Sequence, residues 1–556
     1  MSKGQLSEND HIRVPVNARR TAWRVSRGIL GSALLVFSAL APAENAGGNR
    51  PDSVVIPWSL LSSPPYLPDP GFWGGLYKPD GFTPSYVDDS FFGRKVVRLG
   101  NGDVIVAGVV PDSYSTSPGA PVINLGLVRY NATGGKVAWT NPGAYGYNGY
   151  VIFPNTTDPA DDRNVKDVLD MKVLGERVFV LVDSRYHGSN ADIDSHILVF
   201  GIDGAFLGST NVLSSSKPEY SGGMLIYEDS SGPGAIIALV VASTFDSVWR
   251  PTLIKGTVNS NSSISFSPPV FPNPSNYCPT NRGCILRSIA RRADSGFLGP
   301  YYLAGTRQSS IPDTGGWDFL VMAVNSLGNP FSNFGNNGVT TVAFDSGGNG
   351  YDDANSIEFG RNSQTYADEI YVTGFVNRTC KDGVGVVKMN YNGVLDTSFG
   401  SENSGKIIIG GSNLIPGFSC AQLDIIPATH ASDAALSLNF EKLAIAGYSA
   451  TSHSCAIGQT CPEDDVNGMI AVIDTANGHV DTFRSYPYTD VVNGPRTRHS
   501  GFWGITDSGN GTFTATGDAR FFQTAAGQPP GASKFATLRV RSDGIFASGF
   551  GSGDDH

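Results

Sequence analysis

The feature that most constrains this chain is a short β-prone run, ending in small residues and usually glycine, that returns along most of its length. It appears at residues 104–108, 301–305, 371–374, 443–447 and 513–517, with degenerate copies at 178–182 and 236–242. Gly305, Gly374, Gly447 and Gly517 follow one another at intervals of 69, 73 and 70 residues. Such an interval holds about four strands and their turns. In a repeat architecture each unit brings its own small core, so 556 residues need not be divided into ordinary domains. The composition agrees: 68 Gly, 34 Pro and only 16% charged residues suit many short strands joined by turns.

A second pattern follows each first one, an alternating strand that runs into a glycine turn. It is clear at 319–328, 384–393 and 535–544, weaker at 125–134, 196–204 and 469–478, and taken up by 251–258 in the third unit. In three units the turn glycine is followed six residues later by Phe-Gly: Gly328 to Phe334-Gly335, Gly393 to Phe399-Gly400, and Gly544 to Phe550-Gly551. Glycine permits positive φ at a tight connection, and the phenylalanine is expected to fill the gap between neighbouring sheets.

The stretch Met389-Asn390-Tyr391-Asn392-Gly393-Val394-Leu395-Asp396-Thr397-Ser398-Phe399-Gly400 resembles the delta-60 repeat of bacterial exported proteins. Residues 323–335 and 540–551 resemble it more loosely. The resemblance implies a β-propeller and export, and no single activity.

The expected fold is therefore all-β, a seven-bladed propeller of four-stranded antiparallel blades. Candidate inner strands are 90–99, 165–173, 223–228, 285–291, 354–359, 421–426 and 501–507. The last unit stops near Gly553 without a fourth strand, while a β-prone segment at 53–60 lies ahead of the first unit. Pairing the two closes the ring and covers an edge that would otherwise invite association. The chain then divides into a signal peptide (1–43), an N-terminal segment with the closing strand (44–86), the propeller (87–553) and a short tail (554–556).

A meander places its B–C and D–A connections at one end and its A–B and C–D connections at the other. The long ones, including 111–121, 141–163, 448–466 and 519–530, fall at the first of these ends. All six cysteines map there too, with neighbour pairing expected for Cys278 with Cys284, Cys380 with Cys420 and Cys455 with Cys461. Disulfides stiffen long loops, and loops on a rigid scaffold commonly carry function.

Residues 1–43 read as a secretory leader. A basic region ends at Arg27, an apolar run covers 29–40, and Ala41-Pro42-Ala43 offers a cleavage pattern. The run is too short to span a bilayer, and a secreted, periplasmic or cell-surface protein without a transmembrane span is expected. The formal charge of −11 becomes −15 once the leader's six basic and two acidic residues are set aside. That balance repels phosphate backbones, so nucleic acid is not an expected partner.

No motif names a reaction: GxSxG, HExxH, the P-loop and the EF-hand loop are absent. Weak catalytic candidates sit just ahead of the inner strands: Asp88, Asp167, Asp352, Asp353, Arg498 and His499. Paired carboxylates near Arg and His could do acid–base work on a polymer. Asp345, Asp352 and Asp353 could offer oxygens to calcium, but no cofactor is otherwise expected. Aromatic residues assigned to the long-loop end, namely Trp73, Tyr77, Tyr145, Tyr147, Tyr186, Trp249 and Trp317, could stack on sugars or anchor peptides. The expected function is a monomeric binding scaffold for an extracellular glycan, peptide or protein. The alternative is a polymer-degrading hydrolase or lyase.

Overall fold

A computed structural model describes residues 67–68, 92–111, 123–132, 134–143, 146–147, 150–153, 164–185, 193–213, 219–229, 235–269, 277–278, 282–292, 300–309, 316–325, 327–344, 347–362, 365–400, 404–411, 428–451, 465–486, 499–509, 511–520 and 534–541. The chain separates into residues 1–50 and 51–556, and every described residue belongs to the second unit. That unit is all-β, built of mostly antiparallel four-stranded sheets.

The first strand, β1 (Leu67–Pro68), is set apart and its partner comes last. Next come β2 (Phe92–Arg98), β3 (Val104–Pro111), β4 (Ile123–Tyr130), β5 (Gly146–Tyr147) and β6 (Tyr150–Phe153), paired in the order β2-β3-β4-β6-β5. A second meander is β7 (Asn164–Leu174), β8 (Arg177–Arg185), β9 (Ile193–Gly201) and β10 (Phe206–Leu213). A third is β11 (Glu219–Asp229), β12 (Ala235–Asp246), β13 (Val248–Val258) and β14 (Ile264–Phe266). Then follow β15 (Cys284–Arg291), β16 (Tyr301–Gln308), β17 (Trp317–Val324) and β18 (Val339–Val342). The next set is β19 (Gly347–Arg361), β20 (Asp368–Arg378), β21 (Gly383–Asn390) and β22 (Lys406–Ile409). After it come β23 (Ala428–Leu436), β24 (Lys442–Thr451), β25 (Asp465–Asp474) and β26 (Val480–Tyr486). The last run is β27 (His499–Gly509), β28 (Thr512–Arg520) and β29 (Lys534–Arg541), and here β1 pairs antiparallel with β29, Leu67 opposite Arg541.

The recurring glycine has a definite cause. Each meander's first strand carries a register shift, between Gly93 and Lys95, Val168 and Asp170, Ser221 and Met224, Leu286 and Ser288, Ala354 and Ser356, Ala431 and Asp433, and Phe502 and Gly504. The second-strand residue facing the shift is Gly108, Val182, Ala242, Gly305, Gly374, Gly447 or Gly517, which is the terminal residue of each recurring run. A Cβ at Gly305, Gly374, Gly447 or Gly517 would overlap the carbonyl oxygen of Ile285, Asp353, His430 or Gly501. A β-bulge bends its strand and pushes that carbonyl toward the neighbour, which must then lack a side chain. Val182 and Ala242 take the place in two meanders, and at Ala242 the first strand differs, for β11 spans its shift with Gly222 and Gly223.

Side chains alternate between two cores along each strand, as pleating requires. In β3, Ile105 and Ala107 pack with β7–β9 residues such as Val168 and Phe200, while Val104 and Val106 join Tyr130 and Tyr150. In β16, Leu303 faces Leu239 and Val241, and Ala304 faces Ile357 and Val372. The cores thus lie between successive meanders. The first strands touch in sequence, β2 with β7, β7 with β11, β11 with β15, β15 with β19, β19 with β23 and β23 with β27, and β27 touches β2.

The Phe-Gly pattern is a tie between neighbours. Phe334 lies where a Cβ on Gly393 would point, and Gly335 N–H donates to the Asn392 carbonyl at 2.7 Å. Phe399 lies likewise against Gly478, with Gly400 N–H donating to Asn477 at 3.0 Å. Trp139 takes the same place against Gly204, and Asn141 N–H donates to Asp203 at 2.9 Å.

Three expectations need adjusting. The first strand of the sixth unit is Ala428–Leu436, not 421–426, so Cys420 does not open it. Residues 146–147 and 150–153, expected within a long connection, form strands β5 and β6, with β5 at the edge of the sheet. The N-terminal partner of the last strand is Leu67–Pro68, whereas 53–60 lies outside the described residues. The pair Cys278–Cys284 is bonded as expected, and Cys380 is disulfide-bonded as well. Cys420, Cys455 and Cys461 lie outside the described residues.

Candidate functional site

The starts of the first strands, the ends of the second and the starts of the third share one end of the meanders. Aromatic rings there form an unbroken series across consecutive units. Trp317 on β17 meets Tyr351 on β19 at 6.1 Å between ring centroids, and Tyr351 stacks on Phe375 of β20 at 5.5 Å. Phe375 meets His430 of β23 at 5.0 Å, His430 stacks on Tyr448 of β24 at 4.6 Å, and Tyr448 meets Trp503 of β27 at 5.8 Å. The Arg94 guanidinium on β2 lies 4.7 Å over the Trp503 ring and pairs with Asp167 of β7 at 2.8 Å. All of these side chains are half-buried.

Two of them follow from the bulge geometry. Phe375 and Tyr448 each come immediately after a bulge-facing glycine, so the strand directs them to this end beside the first strand. Arg94 and Trp503 are themselves the extra residues of their bulges, which re-aims their side chains.

Polar groups brace this belt. Trp503 Nε1–H donates to Asp518 at 2.5 Å, and His430 Nε2 lies 3.4 Å from Asp382. Arg287, the bulged residue of β15, binds Asp353 through two nitrogens at 2.8 and 2.7 Å and donates to Tyr220 Oη at 2.9 Å. Burial pushes the phenols of Tyr220, Tyr351 and Tyr448 above their ordinary value, which keeps them neutral hydrogen-bonding groups.

Beneath the belt is a cavity of about 430 Å³ lined by β2, β7, β11, β15, β19, β23 and β27. Its wall carries Lys95, Asp170, Lys172, Glu358, Asp433 and Asp507 among others. Lys95 pairs with Asp433 at 3.0 Å and Lys172 with Asp170 at 3.1 Å. The Glu358 carboxyl makes no hydrogen bond or ion pair among the described residues, and enclosure by the surrounding strands pushes it up to about 8.

Three of the carboxylates expected as catalysts or calcium ligands, Asp167, Asp352 and Asp353, hold arginines or backbone amides. Asp352 is buried and accepts from the backbone N–H of Phe344 at 3.1 Å and of Asn377 at 3.2 Å. Asp353 holds Arg287, and Asp167 holds Arg94 while accepting from Val168 N–H at 2.9 Å. His499 lies on β27, with its backbone bridged to Val466. Asp88, Asp345 and Arg498 lie outside the described residues. Among the described residues no group of three or more His, Cys, Asp or Glu side chains is placed to hold a metal, and no helix is long and apolar enough to cross a membrane.

Of the expected binding aromatics, Trp317 begins the belt and Trp249 packs edge-on against Phe245 at 5.4 Å. Tyr147 belongs to β5, while Trp73, Tyr77, Tyr145 and Tyr186 lie outside the described residues. Sequence reading missed Tyr351, Phe375, His430, Tyr448 and Trp503, all of which lie on strands, Tyr448 within β24 where a long connection was expected to begin. The position after the recurring glycine was the available signal.

No family model matches the chain, and no curated protein matches it. Distant similarity to solved structures includes a Bacillus subtilis levansucrase in complex with oligosaccharides, at 11% identity and a TM-score of 0.31, covering 56% of this chain and 83% of that one. The polysaccharide lyase Uly1 aligns at 10% identity and a TM-score of 0.38, covering 84% and 93%. The β-propeller domain of the Trilobed protease from Pyrococcus furiosus aligns at 9% identity and a TM-score of 0.32, covering 80% and 95%. At these values none of their activities transfers to this chain.

Proposed function

We propose that the chain is an exported seven-bladed β-propeller of the delta-60 repeat type, its ring closed by the N-terminal strand, and that it binds a glycan at the aromatic end of its channel. The succession of first-strand contacts from β2 round to β27 and back to β2 supports the ring, and the β1–β29 pairing supports its closure. The basic-then-apolar leader supports export to the periplasm, cell surface or medium.

The observation that carries the binding function is the belt from Trp317 to Trp503. Half-buried rings, braced by Asp518 and Arg94, form an apolar surface with polar groups at its margin. Sugar rings present apolar C–H faces and peripheral hydroxyls, which such a surface complements. Asp167, Asp352 and Asp353 brace arginines and backbone amides, which favours binding over acid–base chemistry.

The test is a polysaccharide-binding measurement on the mature protein, neutral and acidic polymers included. Trp503→Ala is expected to weaken binding by about 2 kcal/mol, roughly 30-fold, with the fold intact. Undiminished binding in Trp503→Ala and Tyr448→Ala alike would remove the belt from the site. Polymer shortening by the wild type that is lost in Asp353→Asn would replace binding by depolymerisation.

A further inference from the structure

Beside Trp317, at the same end, arginines gather around one backbone segment. Arg282-Gly283-Cys284 enters β15 next to the Cys278–Cys284 disulfide. On one side stands Arg250 of β13, whose Nη1 donates to the Arg282 carbonyl at 3.4 Å. On the other stand Arg307 and Gln308 of β16: Cys284 pairs with Arg307, and Gln308 N–H donates to the Gly283 carbonyl at 2.9 Å. Gly283 is bracketed by tryptophans, for a Cβ there would meet the Trp317 ring at 2.8 Å and the Trp249 backbone nitrogen at 3.7 Å. Arg250, Arg282, Arg307, Trp249 and Trp317 are all half-buried. Burial and then the Arg282 charge hold the Arg307 guanidinium below its ordinary value, and Asp318, across the strand pair from Arg307, opposes this only in part. A protein of net charge −11 has therefore gathered three guanidinium groups at one edge of an aromatic surface.

We infer that Arg250, Arg282 and Arg307 form an anion subsite, so that the polymer taken at the belt is an acidic glycan whose carboxylate or sulfate groups sit here while its rings pass over Trp249 and Trp317. The inference rests on the glycan-binding reading above. Guanidinium forks match carboxylate and sulfate oxygens in pairs, and they stack on aromatic faces as lysine does not. The Arg282 charge opposes that of Arg307, and an anion relieves this, which gives the acidic polymer an advantage over a neutral one of the same shape.

The experiment compares polygalacturonate, dextran sulfate, neutral dextran, a neutral β-glucan and a DNA oligonucleotide as ligands, at low and high salt. The wild type is expected to bind polygalacturonate or dextran sulfate in a salt-sensitive manner and above the neutral polymers. Arg250→Gln with Arg307→Gln is expected to lose ~10-fold or more of that affinity. If that pair fails to melt like the wild type, Arg282→Gln alone serves, with a several-fold loss expected. Binding of the neutral polymers alone, or acidic binding unchanged in the arginine variants, would overturn the subsite and leave the glycan reading standing. Binding of none of the polysaccharides would overturn both, and a preference for DNA over every glycan would overturn the acidic-glycan assignment.

Discussion

At the residue scale the bulge and its facing glycine set the terms. A Cβ at Gly447 would overlap the His430 carbonyl, and His430 is itself part of the aromatic belt. Gly447→Ala must push that carbonyl away, and forced overpacking of this kind costs about 1–3 kcal/mol. Gly100, with nothing within 4 Å of its added Cβ, is the control, and Gly100→Ala should stay within about 0.5 kcal/mol of the wild type. Denaturant titration of the two variants separates these outcomes, and equal midpoints would refute the steric account. The glycine was legible in the sequence because its cause recurs in unit after unit. The side chains it directs to the site were not, since Phe375 and Tyr448 look like ordinary strand aromatics until the bulge opposite is known.

At the element scale, neighbouring meanders are fastened by a plug and, in places, by a buried cation. Phe334 and Phe399 were readable from the six-residue offset, whereas Trp139 fills the same role at a different offset from its turn glycine and so escaped it. The inner strand β23 was misplaced for a related reason. Its sequence, ATHASDAAL, is small and of low β-propensity because it carries a bulge and lines the cavity, and the more β-prone 421–426 outcompeted it. Lys388 illustrates the cation. Almost fully buried, its Nζ lies 2.9 Å from Glu369, 3.0 Å from Asp396 and 2.9 Å from the Thr475 carbonyl of the next meander. Lys388→Ala leaves two carboxylates without their counter-charge and is expected to cost about 3–5 kcal/mol. Adding Glu369→Gln and Asp396→Asn should restore part of that loss in a chemical denaturation series. A triple variant no better than the single one would show that packing, not charge, is what Lys388 supplies.

At the scale of the whole molecule, the cavity exists only because first strands spread from residue 95 to residue 507 face one another. No local pattern in the sequence announces which of their charges will meet, so Glu358 gave no signal beforehand. Lys172, the cation that most eases its ionisation, is already paired with Asp170, and Lys95 with Asp433. Asp433 and Asp170 repel a second negative charge, and burial adds the largest opposition, so the carboxyl rises from 4.5 to about 8. Between those two pH values the folded chain holds a proton that the unfolded chain has released. The favourable contribution is therefore complete below pH 4.5 and is lost as pH rises toward and through 8. Glu358→Gln keeps the neutral shape and removes the titration. Its melting temperature relative to the wild type should climb from pH 5 to about pH 8 and then level off. Parallel melting curves across that range would mean that Glu358 ionises at its ordinary pKa, with the cavity admitting enough water to solvate it.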